Sequence, residues 1–310
     1  MTHVLVLGGS GFIGRHLVPM LLAEGYQVSL LNRGSQRMPG TTQLLADRND
    51  ADSMRKALAG TPCFDAVIDL SAYTSAQSRI ARLFLSERTG HWIHLSTAAV
   101  YTNGTRECDP IGANPDWGQY GADKAEIDAD FLGQTGVTIL RPPYIYGPHN
   151  SNDRETFIWS RLLRGRPIVV PGDGNRQVQF IYAPDLARAF VQFARAVPPT
   201  ETQIFNIAHP TLLSFNAWVQ LLADIAGTPC DIVPELGQSG MNPRSYFPFR
   251  DAPCAVDTSA ISALWTPLWD ARAGFEATWR TQDTLFLKER PIDTENEEKC
   301  LKQAKKNASI

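Results

Sequence analysis

The stretch "HVLVLGGSGFIG", residues 3–14, decides the fold. Val4, Leu5, Val6 and Leu7 form an apolar run with no polar alternation, as expected of a strand buried on both faces. Gly8, Gly11 and Gly14 follow it directly, each three residues after the last. Ile13, Leu17, Met20 and Leu21 then recur at helical spacing, and Gly25 is the expected stop. Each glycine costs about 0.5–1 kcal/mol relative to alanine in regular structure, so three in one turn need a reason. A tight turn, backbone N–H groups brought close to a diphosphate, and a helix packed close to its strand supply one. The helix N-terminus adds its positive dipole. The segment is expected to cradle a dinucleotide.

Outward from that unit the same rhythm repeats. Strands are expected at 27–32, 65–70, 91–96 and 137–141, with helices near 51–59, 75–88 and 120–133. Alternating apolar strands and helices predict an α/β fold with a parallel sheet covered by helices. The second half has another texture. Pro and Gly cluster at 142–148, 165–174, 227–253 and 265–267, among short strands and helices. "SFNAWVQLLADIAG" is a clear helix, with Ser214 as N-cap and Gly227 as stop. The expected organisation is a dinucleotide-binding domain over 1–165, with segments around 178–208 partly returning to it. A smaller α+β lobe for substrate over 166–287 and a polar tail over 288–310 complete it. The tail reads as a solvated helix or disorder.

Bulk properties narrow the function classes. The chain has 310 residues, 43% of them hydrophobic and 20% charged, with a net charge of −3. That balance gives no electrostatic footprint for nucleic acid or an anionic membrane. No apolar run reaches membrane-span length, and "MTHVLVLGG" reads as a strand, not a signal peptide. The five cysteines (63, 108, 230, 254, 300) are scattered, which favours free thiols in a reducing, cytoplasmic setting. His91 and His94 fall on opposite faces of their strand, and no metal site is expected.

The end of the second strand reports on the adenosine ribose. A carboxylate there accepts from the 2′-hydroxyl of NAD. Here the position is Asn32, followed by Arg33, with Arg37 near. A guanidinium suits a 2′-phosphate, so NADP is favoured over NAD. Asp47, after a later apolar run, either meets the adenine amino group or caps a helix.

"QYGADKAE", residues 119–126, places Tyr120 and Lys124 four apart, on one face of a helix. With the glycine turn and "HLSTAAVY" (94–101), this spacing makes the chain resemble an extended short-chain dehydrogenase/reductase of the NAD-dependent epimerase/dehydratase family. "DR" at 47–48, "RPPYIYGP" at 141–148, "DLA" at 185–187 and "FNIA" at 205–208 extend the resemblance over nearly the whole chain. It implies a doubly wound Rossmann domain, a C-terminal substrate lobe and a homodimer. Tyr120, Lys124 and Thr97 would be catalytic: a phenol whose pKa an adjacent ammonium lowers, and a hydroxyl that aligns the substrate oxygen. The cofactor would meet Gly8, Gly11, Phe12, Ile13, Gly14, Asn32, Arg33, Asp47, Arg48, Leu70, Ser71, Ala72, Lys124 and Pro143. Tyr73, Tyr144, Arg176 and Arg250 are the substrate candidates. Tyr73 and Thr74 line the nicotinamide side or pack the loop, Tyr146 faces the cleft with Tyr144, and Asp185 caps a helix. Arg250 meets either a substrate phosphate or an acid such as Asp251.

Departures bear on the reaction. The Asp-Glu pair of the family's 4,6-dehydratases is replaced by Ala98 and Ala99, which transfer no protons. An Asn that contacts the substrate diphosphate in many relatives is replaced by Tyr144, and the lobe's Arg-Asp is replaced by Val178-Gln179, with Arg176 displaced. "NRG" (32–34), "RLLRGRPIVVPGDG", "VQFIYAPDLARAF" and "FPFRD" (247–251) resemble a subgroup with chloroplast stem-loop RNA-binding proteins and their bacterial relatives. Three functions are expected, in order. The first is an epimerase-type enzyme acting on a hydroxyl-bearing carbon of a sugar or nucleotide-sugar. The second is an NADPH-dependent reductase, and the third is a non-enzymatic RNA-binding member, against which the missing basic surplus counts.

Overall fold

The computed structural model describes residues 2–34 and 36–307. The opening segment forms β1 (His3–Leu7), α1 (Gly14–Ala23), β2 (Gln27–Asn32), β3 (Thr42–Leu45) and α2 (Ala51–Leu58). The alternation continues through β4 (Phe64–Asp69), α3 (Ser75–Leu85), β5 (Thr89–Leu95), α4 (Gly118–Phe131) and β6 (Val137–Arg141). Next come β7 (Tyr144–Tyr146), α5 (Glu155–Leu162), β8 (Ile168–Pro171), β9 (Gln177–Tyr182), α6 (Ala183–Arg195) and β10 (Gln203–Asn206). The remainder comprises β11 (Leu212–Ser214), α7 (Phe215–Ala226), β12 (Ile232–Glu235), α8 (Ser259–Ser262), α9 (Ala271–Trp279), α10 (Thr284–Glu289) and α11 (Glu295–Asn307).

The chain divides into two units. The first holds residues 1–145, 181–208 and 256–268. Its sheet has seven strands among the described residues, in the order β10-β6-β5-β4-β1-β2-β3, all parallel. Val4 and Val6 pack on one face with Leu17, Val18, Leu21 and Phe190. Leu5 and Leu7 pack on the other with Leu31, Met54, Val67 and Phe131. That two-sided burial is why β1 carries no polar alternation. Strand order reverses at β1, which has β4 on one side and β2 on the other, and ligands of such sheets bind beyond the strands' carboxyl ends at this point. The fold is the expected Rossmann-type α/β architecture.

The second unit holds 146–180, 209–255 and 269–310. It pairs β11 with β9 antiparallel and β12 with β8 parallel. Its core is aromatic: Phe180 stacks on Trp218, Phe215 on Phe249, and Tyr146 on Phe275. As expected, Ser214 caps α7 by accepting from the Ala217 N–H, and Gly227 ends it at φ 64°.

Three readings change. The division falls at 145/146 and not after 165, because α5 packs with the second unit: Trp159 donates to Leu222 O and rests on Trp279. Residues 256–268 also return to the first unit. The tail is not simply solvated. Glu297 and Cys300 of α11 are buried, and Glu297 pairs with buried Arg161 of α5. Strand β3 had no clear signature because it lies at the sheet edge and is half-exposed.

Gly14 shows why the turn needs glycine. A Cβ there would lie 2.1 Å from the Gly9 carbonyl oxygen, too close for any side chain. Gly14→Ala is therefore expected to push α1 off the turn and destabilise the protein by about 2 kcal/mol. Urea unfolding checks this, and a wild-type midpoint would show that the helix has room.

Candidate functional site

Lys124 is the centre of the site. It lies on α4, one turn beyond Tyr120 and one turn before Asp128, so the three share a stripe. Its side chain is buried, and Nζ donates to Ala72 O at 2.9 Å, to Leu95 O at 2.6 Å and to His94 Nε2 at 3.2 Å. Both carbonyls belong to the carboxyl-end region of the sheet, one just past β4 and one at the last residue of β5. Burial lowers the Lys124 pKa to about 8, against the pull of Asp128 and Asp69. The ammonium is thus charged at neutral pH and loses its proton as pH rises through that value.

A charged network supports it from below. Asp128 is fully buried and its Oδ2 accepts from Ser96 Oγ and Arg141 Nε, each at 2.8 Å. Burial raises its pKa, and Arg141 and Lys124 oppose that rise. His94 is also fully buried. Burial, with the positive charge of Lys124, holds its pKa well below the ordinary value, so the ring is neutral and Nε2 is the acceptor. Arg141 extends the network to Tyr101 Oη at 3.0 Å, which in turn donates to Asn206 Oδ1 at 2.7 Å.

Tyr120 stands at the exposed end of the stripe, with 45% of its surface open. The start of its helix lies against the turn that follows Thr97. A Cβ on Gly121 would be 2.6 Å from Ala99 O, so only glycine permits this approach. Thr97 is nearly buried and its Oγ1 accepts from the Ala99 N–H at 3.2 Å, capping the short helical turn 98–100. The fold therefore brings the Tyr120, Lys124 and Thr97 segments to one end of the sheet.

The glycine turn fits a dinucleotide. Gly8 has φ 82°, and no side chain caps the N-terminus of α1. A Cβ on Gly11 would meet nothing but Gly8 O, at 3.4 Å, so the turn is open on that side. Phe12 and Ile13 complete it. Asn32, at the end of β2, donates to Gln43 Oε1 and accepts from the Gly34 N–H, while Arg33 is exposed. Asp47 is exposed and accepts from the Asn49 backbone and side chain.

Arg48 does not face solvent. It forms two 2.8 Å bonds to Asp69, the buried last residue of β4, and a third to Ser71 Oγ at 2.7 Å. Burial alone would raise the Asp69 pKa, but the charge and hydrogen bonds of Arg48 hold it down to about 2. The pair braces the loop of Leu70, Ser71 and Ala72, which gives Lys124 one of its acceptors. The Arg48 guanidinium, expected to meet the cofactor, here braces Asp69 and Ser71 through its two terminal nitrogens, while its Nε makes no hydrogen bond. Beyond the loop, Tyr73 is 60% exposed, and Thr74 caps α3 by accepting from the Gln77 N–H. Pro143 and Tyr144 are buried, Tyr144 edge-on to Trp117. Asp185, in the first turn of α6, accepts from the Leu268 N–H and pairs with Arg188.

In the second unit, Arg176 pairs with Asp251 at 2.9 Å, both part-exposed. They line a cleft of about 460 Å³ with Asp173, Asn175 and Gln177. Arg250 is half-buried beside Phe249. Tyr146 does not face a cleft: it is 2% exposed and its ring lies 3.9 Å from Phe275.

Sequence reading missed His94, Asp128, Arg141 and Asp69. Asp128 had a local signal, since it continues the four-residue spacing of Tyr120 and Lys124. The others meet only through the sheet. His91 bonds to Thr138, and no metal-binding cluster exists among the described residues.

Arg48→Met would strand the buried Asp69 carboxylate. It is expected to cost about 3–5 kcal/mol at neutral pH. The wild-type pair stabilises the fold above the unfolded carboxylate pKa of about 3.9 and loses that contribution as pH falls toward about 2. The gap between variant and wild type should therefore narrow in acid. Denaturant titrations at several pH values check this, and a gap that does not depend on pH would contradict it.

A family model described as "NAD dependent epimerase/dehydratase family" matches residues 4–208. The chain is 30% identical over 301 residues to the chloroplast stem-loop binding protein of 41 kDa b from Arabidopsis thaliana, covering 87% of this chain and 76% of that one. It is 24% identical over 320 residues to the dTDP-6-deoxy-L-talose 4-dehydrogenase (NAD(P)(+)) of Kitasatospora kifunensis, covering 91% and 96%. Among solved structures it is similar to the UDP-glucose 4-epimerase of Thermotoga maritima, determined with UDP-glucose, at a TM-score of 0.73 and 20% identity over 90% of this chain and 98% of that one. No helix among the described residues is long and apolar enough to cross a membrane. The glycine turn, the Tyr120–Lys124 pair and these matches agree: the chain belongs to the NAD-dependent epimerase/dehydratase family of extended short-chain dehydrogenases/reductases.

Proposed function

We propose that the protein is an NAD(P)-dependent enzyme that acts on a hydroxyl-bearing carbon of a sugar or nucleotide-sugar, with transient oxidation of the epimerase type. One observation carries this reading. A buried ammonium, Lys124, sits one helical turn from an exposed phenol, Tyr120, at the carboxyl end of a parallel sheet. Burying a cation costs several kcal/mol unless its partners compensate, and here two backbone carbonyls, His94 and the charge of Asp128 are assembled to hold one beside a phenol at the ligand end of the sheet.

The roles follow from the residue types. Lys124 favours the phenolate of Tyr120 through its charge. Tyr120 takes the proton of the substrate hydroxyl and later returns it. Thr97 holds the substrate oxygen in line. The turn at Gly8, Gly11, Phe12, Ile13 and Gly14 would hold the diphosphate of the dinucleotide, and the bound nicotinamide would supply reversible hydride transfer. Ala98 and Ala99 are buried and carry no acid or base, which disfavours loss of water and suits a reaction that only moves hydride and one proton. Epimerases and dehydrogenases of nucleotide-sugars among the similar proteins support that substrate class. The absence of a carboxylate at Asn32 and the exposed Arg33 support NADP over NAD. An RNA-binding role is the second reading, and the Arabidopsis relative's name supports it. The net charge of −3 does not.

Tyr120→Phe is expected to lower turnover of a responsive nucleotide-sugar by about a hundredfold or more while cofactor binding persists. Unchanged turnover would remove Tyr120 from the chemistry, whereas a wild type that turns over no such substrate but binds RNA with a steep salt dependence would favour the second reading. Arg33→Ala is expected to weaken NADP⁺ binding roughly tenfold and to leave NAD⁺ binding unchanged. Equal effects on both would count against the 2′-phosphate contact.

A further inference from the structure

Lys124 has three N–H bonds to give, and the protein takes all three. The acceptors are Ala72 O, Leu95 O and His94 Nε2. An ammonium with every donor spent binds a new hydroxyl only by giving one acceptor up. The two carbonyl bonds are 2.9 and 2.6 Å long, whereas the imidazole contact is the longest, at 3.2 Å. His94 is also the one acceptor that belongs to a side chain, so the backbone need not move to release it.

The surroundings of His94 fit a holding role. The ring is fully buried, on β5, with Phe131 tilted against it at 5.4 Å. Asp128 Oδ1 lies 3.8 Å from Nε2, too far for a hydrogen bond, and has no other partner. Burial first, then the cations Lys124, Arg48 and Arg141, keep the ring neutral, against the opposite pull of Asp69. A neutral imidazole offers Nε2 as an acceptor of moderate strength, which a ribose hydroxyl can replace.

We propose that His94 is a positioning residue: it holds the third N–H of Lys124 when no cofactor is bound, and yields it to the nicotinamide ribose when the dinucleotide arrives. This rests on the cofactor reading given above. It makes His94 a competitor of the cofactor for the same donor. Removing that acceptor leaves a buried N–H unmade in the cofactor-free protein, while the bound state still satisfies it through the ribose. Cofactor affinity should then rise although the free protein becomes less stable. A histidine that only supports the fold would lower both.

The test is calorimetric titration of NADP⁺ and NAD⁺ into wild type, His94→Phe and His94→Gln, with the thermal midpoint of each cofactor-free protein. His94→Phe is expected to bind the preferred dinucleotide roughly tenfold more tightly, and to melt at a lower temperature than wild type. His94→Gln keeps an acceptor and is expected to restore wild-type affinity. If phenylalanine prevents folding, His94→Leu repeats the comparison. Wild type that binds with His94→Phe or His94→Leu binding equally or more weakly overturns the proposal and leaves the cofactor reading standing. Wild type that binds neither dinucleotide overturns both.

Discussion

A buried ammonium has to be satisfied on every side, and the site is arranged around that requirement. Lys124 finds two of its acceptors only because β4 and β5 run parallel and end together, which brings Ala72 and Leu95 within reach of one helix. The third comes from His94 of the same strand. Asp128, one turn further along α4, adds negative charge and is itself fixed by Ser96 and Arg141. Moving any one of these elements by an ångström would leave a charge without its partner in a low-dielectric interior.

The glycines set the distances that this arrangement needs. Gly14 lets α1 approach the turn, and Gly121 lets α4 approach the 98–100 turn beside Thr97. Both contacts leave no room for a Cβ, so the positions of Tyr120 and of the dinucleotide turn are fixed by backbone against backbone. Such contacts are less compliant than side-chain packing, which suits groups that must meet a ligand with tight tolerance. The Arg48–Asp69 pair does comparable work for the loop over residues 70–72, with charge in place of close packing.

Much of this was legible in the sequence because it is written in short spacings. The glycine turn, the two-sided apolar strands and the Tyr120–Lys124 step are local patterns, and the parallel sheet follows from their order. Asp128 lies on the same helical step, but nothing in the spacing marks it as more than a polar helix residue, and it was missed. The Arg48–Asp69 pair was not legible either, since its members lie 21 residues apart and meet only across the sheet. His94 read as a strand residue facing away from His91, which was right, but the spacing does not say what it touches. The second unit was least legible. Short strands and Pro-rich loops carry little periodicity, so Tyr146 read as a cleft residue when it is core. The α11 tail read as solvent-facing because one buried glutamate, Glu297, does not alter a charged composition.

Tyr120 and Lys124 have a catalytic use only if they serve a bound dinucleotide. The most direct measurement is a crystal structure of the wild-type protein soaked with NADP⁺. The diphosphate is expected on the turn of Gly8 to Gly14, the nicotinamide ribose within hydrogen-bond distance of Lys124 Nζ, and the Tyr120 hydroxyl facing the nicotinamide. A dinucleotide bound elsewhere, or one bound on the turn with Tyr120 directed away from it, would contradict that use.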